Sequence, residues 1–99
     1  MKLWIDDIRK APEGYYHVHS VNAAIAFIDW IESTDEVLEL VDIDHDAGFY
    51  ACDGGDYIKF LDFLEETGRS YPIRIHSMNP VGVENMRCII QRNGWTEVR

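Results

Sequence analysis

Short apolar runs alternate along the 99 residues with stretches whose apolar positions recur three and four apart. That alternation marks βα units and a mostly parallel sheet. Lys2–Ile5 predicts a first strand, and Tyr15–His19, rich in Tyr, His and Val, predicts a second. His17 and His19 then fall on an edge strand and read as surface residues. Ser20 suits the N-cap of a helix over Val21–Ser33, with Ala24, Phe27, Ile28 and Ile31 on the face toward the sheet. Val37–Ile43 predicts a third strand, and Glu39 and Asp42 within it argue against burial on both faces. A loop rich in Gly and Asp follows over Asp44–Gly55. Asp56 is placed to cap a helix over Tyr57–Thr67 that buries Ile58, Leu61 and Leu64, with Gly68 as its stop. Pro72–His76 predicts a fourth strand, since proline is tolerated at a first strand position. Asn79-Pro80 supplies a cap and then a first-turn proline for a helix to about Asn93, carrying Val83, Met86, Ile89 and Ile90 and ending at Gly94. Trp95–Val98 predicts a short last strand, and Trp4 and Trp95 read as core.

The link between the first two strands decides the topology. It has nine residues, Asp6 to Gly14, too few for a crossover of a dozen or more with its own helix. A hairpin would turn the second strand antiparallel and, through the elements that follow, carry Asp44 to the side opposite Asp6. An extended link of nine residues reaches up to roughly 30 Å, enough to retrace one short strand. A parallel edge strand is therefore expected.

Composition bounds the function. The 46% apolar content, with three Trp, five Tyr and four Phe, is enough to build one core and is too high for a disordered chain. Eighteen acidic against nine basic residues give a net charge of −9. Such a surface cannot neutralise duplex DNA, long RNA or an anionic membrane. A small phosphorylated ligand or a nucleic-acid end, held through a divalent cation, remains compatible with it; most of the surface carboxylates serve solubility. No stretch approaches the ~20 apolar residues of a membrane span, and Met1-Lys2 leads straight into a strand-like run instead of an apolar leader. Cys52 and Cys88 form no CxxC pair. They are expected as reduced thiols of a cytoplasmic protein, Cys88 in a helix core and Cys52 in a loop.

Chemistry concentrates at the predicted strand ends. Asp6-Asp7 follows the first strand and Asp44-His45-Asp46 follows the third. In an open parallel sheet, ligands bind in the crevice outside these carboxyl ends. Carboxylates crowded there repel one another unless a cation or a shared proton joins them. Asp6, Asp7 and Asp44, with Asp46 nearby, are the right type and number for Mg²⁺, or Mn²⁺, together with a phosphate. A single strand-end Asp is more often a cap or turn former; the paired clusters favour the metal reading. His45 and His76 share the rim and are candidates for acid and base, with a structural role as the alternative. Ser77 and Asn79, at the opening of the last long helix, could cradle a phosphate, although Asn-Pro is also an ordinary helix start. Arg9 could clamp the same phosphate or pair with the acidic loop. Asp53-Gly54-Gly55-Asp56 lacks the frame and lysine of a phosphate loop and reads as a turn.

Taken together, Lys2-Leu3-Trp4-Ile5-Asp6-Asp7 with Arg9 and Pro12, Asp42–Asp46, and Ile75-His76-Ser77-Met78-Asn79-Pro80 resemble the cyclic-phosphate processing receiver domain family, a divergent branch of the response-regulator receiver fold. The resemblance implies that Asp6 and Asp7 match the acidic metal pair and Asp44 the phosphate-accepting aspartate. Ser77, or His76, would match the hydroxyl residue after the fourth strand. The receiver's first helix has no counterpart in Asp6–Gly14, and its lysine after the fifth strand has none before Arg99. Both losses argue against ordinary phosphorelay switching. The implied fold is a single three-layer α/β domain over residues 1–99, with a receiver-like, mostly parallel sheet in order 2-1-3-4-5 and no first crossover helix. The implied function is metal-assisted hydrolysis of cyclic or terminal phosphates of nucleotides or RNA ends. A non-catalytic, phospho-ligand-binding signalling module is the alternative, and the oligomeric state stays open.

Overall fold

In the computed structural model, which describes residues Met1–Arg99, the strands are β1 (Lys2–Ile5), β2 (Tyr15–Val18), β3 (Leu40–Ile43), β4 (Ile73–Ile75) and β5 (Glu97–Val98). The helices are α1 (Val21–Glu32), α2 (Ile58–Thr67) and α3 (Pro80–Asn93). The sheet runs β2-β1-β3-β4-β5, and every neighbouring pair is parallel. Order and direction are those expected, including the parallel β2 reached by an extended link. Ile5 pairs with Ile43, and Ile43 with Ile75, so β1, β3 and β4 end level. The residue after each end, Asp6, Asp44 and His76, therefore stands beside its neighbours. Backbone hydrogen bonds from Asp44 to Ile5 (3.0 Å) and from His76 to Ile43 (3.0 Å) carry the pairing one step further.

Alternation along the strands sends Leu3, Ile5, Val41, Ile43 and Ile73, all 0% exposed, to one face. There they meet the stripes of the helices: Ala24, Phe27, Ile28 and Ile31 from α1, Phe60, Leu61 and Leu64 from α2, and Met86, Ile89 and Ile90 from α3. Each such fully buried side chain contributes about 1.5–3 kcal/mol through the water it sheds. The three crossovers advance in one direction across the sheet, and right-handed crossovers then place all three helices on one face. The expected third layer thus carries no helix. The link 6–14 alone covers part of the far face, where the Trp4 indole donates to the Arg9 carbonyl at 3.0 Å.

Several local expectations are corrected. β3 begins at Leu40, not Val37, because Lys2 at the start of β1 pairs with Leu40, and Val37 is 69% exposed. Asp56 does not cap α2, which has no side-chain cap; its Oδ1 accepts from the Ala47 N–H at 3.0 Å and braces the loop after β3. That loop contains a 3₁₀ turn over Gly48–Cys52. Cys88 is exposed, since Met86, Ile89 and Ile90 already occupy the inward side of α3. Trp4 is buried but belongs to the polar far face, and Trp95 lies half-buried before β5. No helix is long and apolar enough to cross a membrane.

Candidate functional site

Three carboxylates meet at the level ends of β1 and β3. Ligand oxygens of Asp6, Asp7 and Asp44 all lie within 4.8 Å of one another, a spacing that could hold a metal ion. Asp6 is fully buried and Asp44 is 8% exposed. Asp6 Oδ1 accepts from the N–H groups of Ile8 and Arg9, both at 2.8 Å, which folds the chain after β1 into a tight turn. Burial pushes the Asp6 carboxyl up, but these two N–H groups and His76 outweigh it and hold it below the ordinary value. Asp7 moves the other way: burial raises it, a backbone hydrogen bond opposes, and the charges of Asp6 and Asp44 raise it further. A cation between the three would remove that repulsion, which is the observation by which the donor set fits a metal. Gly48, at a φ of +55°, lies against Asp7; a β-carbon there would strike its carboxylate. The Tyr57 phenol is driven upward by burial and by the same three carboxylates, so it stays neutral and donates to the His19 carbonyl at 2.7 Å.

His76 is held on all sides. Its Nε2 is 2.9 Å from Asp6 Oδ2 and its Nδ1 is 2.7 Å from Asp42 Oδ1. Its ring stacks on Trp4 at 3.9 Å with an interplanar angle of 6°. Both ring nitrogens are thus taken up by carboxylate oxygens within the protein. Asp42, 1% exposed, also accepts from the Tyr15 hydroxyl at 3.1 Å and from Arg74 Nη1 at 3.2 Å. Asp42 was not expected in the site. Its signal was the polar break in an apolar strand, and only the far-face position beside Arg74, given by the register, turns that break into a contact with His76.

The remaining candidates lie beside the three acids, most of them in a second group around His45 and Asp46. His45 Nδ1 lies 2.8 Å from Asp46 Oδ1, and its Nε2 makes no hydrogen bond within the protein. Its ring packs against the start of α3, where Gly82 leaves room that a β-carbon would fill. Asp46 is not one of the three convergent acids; it holds His45 and accepts from Asn79 Nδ2 at 3.3 Å. Asn79 Oδ1 caps the helix through the Gly82 N–H at 3.0 Å, and Pro80 has no N–H, so this helix start has little left to offer an anion. Ser77 Oγ accepts from the Asn79 N–H at 3.1 Å and keeps its own hydrogen free. Arg9 Nη1 donates to the His76 carbonyl at 2.6 Å, stretching its side chain across the mouth toward β4. His17, expected at the surface, is half-buried, with Nε2 at 2.9 Å from the Asp6 carbonyl oxygen.

A comparison with protein families matches residues 1–92 to the cyclic-phosphate processing receiver domain. No curated protein and no solved structure matched the chain.

Proposed function

The chain belongs to the cyclic-phosphate processing receiver domain family, and from that premise we propose that it is a metal-assisted phosphoesterase for cyclic or terminal phosphates of nucleotides or RNA ends. The observation that carries this reading is the convergence of Asp6, Asp7 and Asp44 at two neighbouring strand ends. Those three would hold Mg²⁺ or Mn²⁺, which when bound neutralises phosphoryl oxygens and activates a water. His45 is the proton carrier: Asp46 fixes its Nδ1, leaving Nε2 to give or take a proton. His76 is a holder of Asp6 and not a proton carrier, because neither of its nitrogens is free. Arg9 binds the phosphate with the guanidinium donors that the His76 carbonyl leaves over, and the Ser77 hydroxyl adds one more. Asn79 acts through Asp46 and the α3 cap. The net charge of −9 keeps the partner small, a phosphorylated ligand or a nucleic-acid end. The exposed thiols of Cys52 and Cys88 support a reducing, cytoplasmic setting.

The test is hydrolysis of adenosine 2′,3′-cyclic phosphate with Mg²⁺ and with chelator. Mg²⁺-dependent turnover is expected, lost in Asp44→Asn and reduced about a hundredfold or more in His45→Ala. Equal rates in wild type, both variants and chelator would overturn the catalytic reading. The closure of His76 between Asp6 and Asp42 favours a second reading, a module that binds the phosphate without turning it over. Metal-dependent binding with no hydrolysis would select that one.

A further inference from the structure

A row of aromatic rings borders the acidic pocket, and the phosphate chemistry makes no use of it. The rings of His17 and His19 lie 4.2 Å apart, His19 and Tyr50 5.1 Å, and Tyr50 and Phe49 6.1 Å. Both ends of the row are anchored in the chain beside pocket residues. His17 meets the Asp6 carbonyl, and Phe49 is one peptide step, ~3.8 Å, beyond the Gly48 α-carbon that lies against Asp7. Phe49 is 89% exposed and Tyr50 36%. Their exposure is imposed by a braced loop. Ala47 is tied to Asp56, Asn22 Nδ2 donates to Asp53 at 3.0 Å, and the Tyr57 N–H donates to the His45 carbonyl at 3.0 Å. Large apolar faces held into water beside a polar site mark ligand contact.

We propose that His19 and Tyr50, whose rings lie 32° apart, form a stacking platform for the base of a nucleotide whose phosphate sits at the acidic pocket, with the Phe49 ring, at 89° to Tyr50, as its side wall. The proposal rests on the phosphoester reading and assigns to named side chains the recognition of the substrate's base. Every base has a π-face, so such a platform tolerates any base sequence. The occupant is a single terminal nucleotide, because a longer polyanion would meet the surface's own negative charge.

Calorimetric titration with Mg²⁺ compares adenosine 2′,3′-cyclic phosphate with glycerol 1,2-cyclic phosphate, which has the ring phosphate and no base. The wild type is expected to bind the nucleotide about five- to a hundredfold more tightly. That ratio is expected to fall to about one in the Phe49→Ala/Tyr50→Ala double variant and to persist in Phe49→Trp. Equal affinities in the wild type would overturn the platform. So would a preference that survives the double substitution, as expected if the patch docks a protein instead. A nucleotide preference without turnover of either ligand would uphold the platform and remove only the catalytic reading. Binding of neither ligand would remove both.

Discussion

Asp42 receives hydrogen bonds from three directions in a position where water does not reach it. Truncation to alanine removes the acceptor shared by Tyr15, Arg74 and His76. Asp42→Ala is therefore expected to cost about 1–3 kcal/mol of stability in urea unfolding, the range for leaving buried hydrogen-bond partners unsatisfied. Asp7 has the opposite sign. Its folded value is raised above the unfolded one, so its favourable contribution is present below the ordinary Asp value and is lost as pH rises through the raised one. In chelator, Asp7→Asn is then expected to melt roughly 2–5 °C higher than wild type at pH 7 and alike near pH 3. A lower melting temperature at pH 7 would refute the repulsion. The acids themselves were legible in the sequence because two pairs of them stand at strand ends. The division of labour between the histidines was not. His45 and His76 look alike as rim residues, and only the Trp4 stack and the buried Asp42 set the enclosed His76 apart from His45, whose Nε2 has no partner in the protein.

One glycine sets how α3 carries the site. Gly82 lets α3 close over His45, where a β-carbon would fall within 3 Å of the ring. Gly82→Ala is expected to destabilise by about 1–3 kcal/mol, as overpacking does, and to lower turnover by displacing His45. Wild-type turnover in that variant would separate His45 from the chemistry. Helix starts and stops were readable where local chemistry dictates them. Ser20 accepts from the Ala23 N–H, Asn79 accepts from the Gly82 N–H, and Gly68 and Gly94 take left-handed conformations at φ +69° and +67°. The failures came where a distant partner won. Asp56 has the composition of a cap but is taken by Ala47, and Val37 to Glu39 look like strand but lie beyond the start of β1. Cys88 sits among apolar neighbours in sequence, yet a helix shows the sheet only one stripe.

Across the molecule, the helix-free link after β1 and the one-way advance of the three crossovers leave α1, α2 and α3 on one face of the sheet. The far face is consequently polar, with Trp4 sheltered by the 6–14 link and Asp42 joined to Arg74. Sheet order and direction were legible because a nine-residue link permits few routes; the one-sided layering follows from crossover handedness once that order is known. Level strand ends then gather Asp6, Asp7 and Asp44, distant in sequence, into one pocket. Titration of Mn²⁺ followed by electron paramagnetic resonance tests that gathering most directly. One saturable ion per chain is expected, lost in Asp7→Asn and in Asp44→Asn and retained in Asp46→Asn. No saturable ion in the wild type, or binding unchanged in both of the first two variants, would contradict the account.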